Sequence, residues 1–170
     1  FGLDAASGVM KWLEEHGHGI PVGPVRVPIV PAAVIFDLGV GDPHIHPAPL
    51  SGWMACTDAS SAPVRQGNVG AGAGATVGKV FGPHLAMKGG IGSAALTVSG
   101  VTVAALVVVN ALGDVVDPKN GRILAGARTT SSGLELQDTV NSLIQGMPKA
   151  TLPTGANTTI GTETFPCLLA

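Results

Sequence analysis

From residue 89 to residue 113 the chain runs for 25 residues without a charged side chain. Nothing else in the sequence narrows the possible folds as far. A segment of that length is long enough to cross a bilayer as a helix. Its content points elsewhere: Gly89, Gly90, Gly92, Gly100 and Gly113 punctuate it, and Val and Thr dominate. Glycine weakens helix interiors, and β-branched residues favour strands. Thr97-Val98-Ser99-Gly100-Val101-Thr102-Val103 reads as strand, turn, strand, with residues 94–98 and Val101–Val109 as its arms. The expectation is two strands and no membrane partner.

The flanks alternate helices with apolar strands. Residues 4–16 read as an amphipathic helix, with Val9, Met10, Trp12 and Leu13 on one side and Lys11, Glu14 and Glu15 on the other. Gly17 and Gly19 stop it. Residues 21–28 read as a Pro-punctuated connection. Residues 30–38 (VPAAVIFDL) read as a continuous apolar strand covered on both faces. Residues 39–49 are a turn-rich loop, and the small residues of 52–62 suit a tightly packed helix. A Gly/Ala loop follows at 67–78, a further strand at 123–127, and a short helix or loose arm at 135–145. The fold class is α/β or α+β, layered as a sandwich. Helix 4–16 should pack on a face built from strands 30–38 and 101–109.

The 170 residues suit a single domain with a real core. A net charge of −2 argues against nucleic-acid binding. Only 12% of residues are charged, so much of the surface should be covered by further chain or by copies in a homo-oligomer. Cys56 and Cys167 show no metal or redox spacing and suit a reducing compartment, hence a cytoplasmic location. No secretory signal opens the chain, which starts inside a helical pattern as if cut from something longer.

Four features carry possible chemistry. The run GNVGAGAGATVGK at 67–79 is not a Walker A loop: Ala73 stands where the first Gly belongs, and Val80 where Ser or Thr binds magnesium. As a dinucleotide fingerprint it lacks a clear preceding strand and an acidic residue about 20 positions on. One reading is that its glycines bring backbone close to a reacting centre and deliver Lys79 there; the alternative is a solvated lysine after a loop. Asn110 ends an apolar strand, where its amide is either an oxyanion donor or a turn residue. His16/His18 and His44/His46 form His-x-His pairs in Gly/Pro loops without a third ligand nearby in sequence, so no metal site is expected. Thr154-Gly155-Ala156-Asn157-Thr158-Thr159 is a small, turn-prone run ahead of a Thr. A Thr that heads a chain has its own α-amine as base. The same tripeptide, Asn157-Thr158-Thr159, is also a glycosylation sequon.

FGLDAASGVMKWLEEHG, PAAVIFDLGVGDP, GNVGAGAGATVGK, MKGGIGSAAL, VVVNALGDVVD and GANTTIG occur in this order, from residue 1 to residue 161. Together they resemble the DmpA-type self-processing peptidases, which include L-aminopeptidase/D-esterases, β-aminopeptidases and nylon-oligomer hydrolases. The resemblance implies an αββα sandwich of the N-terminal-nucleophile type and a precursor that cuts itself between Asn157 and Thr158. It makes Thr158 the catalytic nucleophile, in the Thr branch of the family, with Lys79 beside it and Asn110 stabilising the oxyanion. It divides the chain into an α-chain-like part, 1–157, and the start of a β-chain-like part, 158–170. Phe36 stands where several members carry a substrate-facing Tyr. The implied partners are a small peptide or amide substrate and the chain's own β-chain segment, with no cofactor.

The residues after 161 depart from the family. Thr162-Glu163-Thr164-Phe165-Pro166-Cys167-Leu168-Leu169-Ala170 replaces a hydrophobic strand, and Pro166 suits a central strand poorly. The family also continues into acidic partners of the nucleophile. The expectation is therefore an incomplete sandwich, and an inactive, truncated remnant serving as a structural or oligomerising domain is the alternative to an active amide hydrolase.

Overall fold

The computed structural model describes residues 2–146. Asn157 and Thr158 lie outside them. The chain divides into two compact units, Phe1–Val64 and Arg65–Ala170.

In the first unit, α1 (Asp4–Glu15) carries Asp4 in its first turn, where a negative charge suits the helix dipole. It ends in a Schellman motif: Gly17 at φ 68° donates to Glu14 O, and His18 N donates to Leu13 O at 2.8 Å. A short hairpin follows, β1 (Ile20–Val22) with β2 (Val25–Val27), where a plain connection was expected. α2 spans Pro49–Thr57, starting three residues before the expected 52 and ending well short of 62. Pro49 is pre-shaped for a first helical position. The two helices touch through Gly8 and Gly52, both buried; a Cβ on either would run into the backbone of the other helix, at Pro49 O and Ala5 O respectively. Two tryptophans tie the contact reciprocally: Trp12 Nε1 donates to Thr57 Oγ1 at 3.1 Å, and Trp53 Nε1 to Glu15 Oε2 at 3.0 Å. Met10, expected on the apolar side, is exposed, because the buried stripe runs nearer Ala5, Gly8, Val9 and Trp12.

Residues 30–38 correct the sequence reading. They form no ladder, and Val34 and Phe36 are exposed. The physical reason is that the backbone of this run lacks partners for a ladder. Pro28 and Pro31 lack the N–H that a ladder needs, and no described strand lies alongside to supply partners. The helix expected on that strand packs on α2 instead.

Among the described residues the second unit holds six strands. β3 (Thr76–Val77) pairs with β4 (Met87–Lys88), β5 (Gly90–Val98) with β6 (Val101–Val109), and β7 (Val115–Val116) with β8 (Ile123–Ala125), all antiparallel. Counting the first unit, the described residues form four two-stranded ladders and no larger sheet. This is a mixed α+β arrangement. The uncharged run is the β5–β6 hairpin, not a helix, and no described helix is long and apolar enough to cross a membrane. Ser99 and Gly100 turn it with φ of 51° and 80°, the two left-handed residues of a type I′ turn. One face is wholly apolar, pairing Gly92 with Val107, Ala94 with Ala105, Leu96 with Val103 and Val98 with Val101. On the other, Thr97 and Thr102 share a 2.8 Å hydroxyl bond.

The Gly/Ala loop expected at 67–78 contains a 3₁₀ turn, Gly70–Gly72, and leads into β3. Gly67 bridges back to Ile91 through two backbone bonds of 2.8 and 2.9 Å. Val77 and Ala127 are fully buried, and Val80, Phe81 and Leu85 gather against Ala127. α3 (Thr139–Ile144) is the short helix read at 135–145; the Asp138 carboxylate caps it by accepting from Asn141 N.

Candidate functional site

Lys79 and Asn110, 31 positions apart, meet in the second unit. β6 delivers Asn110 one residue past its last ladder pair, Gly90 with Val109. The chain leaving β3 delivers Lys79 alongside. Three bonds hold the two segments together: Thr76 N donates to Asn110 Oδ1 at 3.0 Å, Gly78 N to Gly113 O at 2.8 Å, and Lys79 N to Leu112 O at 2.7 Å. Gly78 is required here twice over. Its φ is 71°, and a Cβ would overlap the buried backbone of Gly126 and Ala127.

The Lys79 ammonium folds back into the junction. Nζ donates to Asn110 Oδ1 at 2.7 Å and to Thr76 O at 3.0 Å. The residue is half-buried between Gly78 and Val80, both buried. That burial lowers its pKa below the ordinary lysine value, because the charged form loses hydration. Among the described residues the one ion pair is Lys11 with Glu15, at 3.9 Å on the surface, so no described carboxylate offsets that loss.

Asn110 Oδ1 accepts from an ammonium and a backbone N–H together. This orients the side chain, since an amide turned over would set its NH2 against two donors. A cation on the oxygen also draws electron density from the amide nitrogen, which strengthens the Nδ2 hydrogens as donors. The arrangement is suited to holding negative charge that develops on a nearby oxygen. The same unit holds a shallow cleft of about 310 Å³, lined by Val77, Lys88, Gly89, Ile91, Gly92, Val109 and neighbours; neither Lys79 nor Asn110 lines it. Val77 follows Thr76 in sequence and Val109 precedes Asn110.

The other sequence candidates belong to the first unit or fall outside the described residues. Phe36 belongs to the first unit and is 73% exposed on the ladderless segment. His16 stacks on Trp12 with ring centroids 3.9 Å apart, and its Nδ1 donates to Trp12 O at 2.7 Å; His18 stacks on the same indole at 5.9 Å. His44 is exposed in its loop, and its backbone N–H donates to Asp42 Oδ1. No group of three metal-ligating side chains gathers among the described residues.

Sequence reasoning passed over Thr76, whose main chain touches both Lys79 and Asn110, and Asp114, whose carboxylate braces the strands around them. Thr76 has no sequence signal, because its backbone does the work. Asp114 had one: it is the acid that closes the uncharged run.

Residues 1–161 match the model of peptidase family S58. The chain is 50% identical over 129 residues to an uncharacterized aminopeptidase of Mycobacterium leprae, covering 71% of this chain and 34% of that protein. It is 50% identical over 122 residues to an uncharacterized aminopeptidase of Mycobacterium tuberculosis, covering 71% and 33%. The chain thus spans about one third of the length of these relatives.

Proposed function

The chain belongs to peptidase family S58, and from that membership we propose that the whole protein is a self-processing amide or peptide hydrolase with Thr158 as its N-terminal nucleophile. The observation that carries the reading is the 2.7 Å bond from Lys79 Nζ to Asn110 Oδ1 inside a partly desolvated junction. Cleavage between Asn157 and Thr158 frees the α-amine of Thr158. That amine takes the hydroxyl proton as Oγ attacks the substrate carbonyl. Asn110 donates from Nδ2 to the oxyanion, and Lys79 supports it by orienting and polarising the amide. The C–N bond then breaks, the proton passes from the α-ammonium to the departing amine, and water hydrolyses the ester left on Thr158.

The substrate is a short peptide or related amide, and the cleft lined by Val77 and Val109 has room for a small side chain. The two-stranded ladders are pieces of an N-terminal-nucleophile sandwich that the rest of the polypeptide completes, with 1–157 as the α-chain-like part. Exposed Leu96, Val98, Val101 and Val103 support further covering by that remainder or by copies of the protein.

Intact-mass measurement on the full-length polypeptide tests the reading. Thr158→Ala should abolish both self-cleavage and amide hydrolysis, while Thr158→Ser should keep some of each. A precursor that stays whole yet hydrolyses amides removes Thr158 from this role.

A further inference from the structure

Asp114 has no part in the chemistry above, yet its carboxylate accepts more bonds than any other side chain among the described residues. Oδ1 accepts from Ala127 N at 3.1 Å and from Thr139 Oγ1 at 2.8 Å; Oδ2 accepts from Thr139 N at 2.8 Å. The three donors come from the end of β8 and the start of α3. Thr139 is 3% exposed and Ala127 fully buried, while Asp114 itself is half-buried, so these bonds are largely screened from water. Gly126 has no side chain because a Cβ there would overlap the carboxylate.

The fixture leads to the site by two routes. Gly113, the residue before Asp114, accepts the Gly78 N–H, and Leu112 accepts the Lys79 N–H. Ala127, held by Asp114, forms the wall against which Gly78 is packed. Lys79 is therefore clamped from the chain on one side and from the packed backbone on the other, with Asp114 common to both.

We propose that Asp114 is a positioning residue: its carboxylate ties the 112–114 segment, the β8 end and the α3 start into one rigid frame that fixes Lys79 Nζ on Asn110 Oδ1. Its catalytic consequence rests on the function proposed above; its geometric content does not. An Asn at 114 keeps one acceptor oxygen. Whichever way that amide turns, its NH2 faces a backbone N–H, of Ala127 or of Thr139, and the frame must open.

The test compares Asp114→Asn with Asp117→Asn in the full-length polypeptide. Asp117 is a suitable control: its carboxylate serves only its own turn, accepting from Lys119 N and Asn120 Nδ2. Three quantities are read: the titration midpoint of the Lys79 side chain by NMR of labelled lysine, and kcat and KM on a short peptide amide. The sign of the first is diagnostic. Loss of a negative charge by itself makes Lys79 easier to deprotonate and lowers the midpoint. Loss of the frame admits water to the ammonium and raises it toward the ordinary lysine value. Asp114→Asn should raise the midpoint and cut kcat by about 10- to 100-fold with KM nearly constant, as misplacement of a working group does. Asp117→Asn should do neither. A midpoint that falls or stays put overturns the proposal. A raised midpoint with unchanged kcat upholds the positioning and removes Lys79 from catalysis. Should Asp114→Asn not fold, Thr139→Val deletes one of the three bonds and should shift the midpoint the same way by less, with Thr139→Ser restoring it; no shift in Thr139→Val overturns the proposal.

Discussion

Replacing Lys79 by Met separates what the ammonium does for the reaction from what it does for the fold. Met matches much of the stem and removes the charge. Two donations are lost, at 2.7 Å to Asn110 Oδ1 and 3.0 Å to Thr76 O. Hydrogen bonds from a charged group contribute about 1.5–3 kcal/mol each. The same change abolishes the cost of holding an ammonium partly out of water, which is of similar size. Asn110 Oδ1 keeps its bond from Thr76 N, so no acceptor is orphaned there. The net change in stability at neutral pH should be within about 1 kcal/mol, because these opposing contributions nearly cancel. Catalysis has no such offset. Removing a preorganised charge-stabilising group costs about 10²–10³ in rate, or about 2.7–4 kcal/mol. The assay is urea denaturation beside kcat/KM on a short peptide amide, for wild type and Lys79→Met. Stability against pH supplies a second signature. Burial lowers the folded-state pKa of Lys79 below its unfolded value. Between those two values the unfolded chain holds more protons, so this group makes wild-type stability rise with pH across that window. Lys79→Met should lose that increment, visible as the difference between the two proteins on the alkaline side. Activity within about threefold of wild type, far short of the electrostatic loss expected, would refute the role given to Lys79. An unchanged pH increment would refute its desolvation.

Gly78→Ala should destabilise the protein by about 1–2 kcal/mol for the left-handed backbone and by a further 1–3, roughly, for the overlap with Gly126 and Ala127; chemical denaturation reads the sum, and a loss under about 1 kcal/mol would mean the backbone there relaxes freely. Phe36→Tyr restores a hydroxyl on an exposed side chain and should change the ratio of kcat/KM between an α-peptide and a β-peptide amide. An unchanged ratio takes Phe36 out of substrate contact.

Periodicity and turn chemistry made the local elements legible. The uncharged run reads as a hairpin because Ser99-Gly100 suits a left-handed turn between β-branched arms, and the arms pair in that register. Helix α1 is legible from its apolar spacing and its Gly17 stop. Legibility ended at residues 30–38, where an apolar run resembles a buried strand whether or not a partner exists to receive its backbone bonds. Pairing belongs to the rest of the molecule, and no window of sequence contains it.

The site divides in the same way. The sequence by itself determined which groups were available: a lysine after a glycine-rich loop, an amide at a strand end, and a family whose motifs make them worth pairing. Only the tertiary structure decided that Lys79 reaches Asn110 across 31 positions, that the Thr76 main chain serves both, and that Asp114 braces the segments carrying them. The physical reason is that these contacts run through backbone atoms and through a carboxylate whose three donors lie 13 and 25 residues away. Backbone atoms are the same at every position, so their partners are set by how strands are folded against one another and not by residue type.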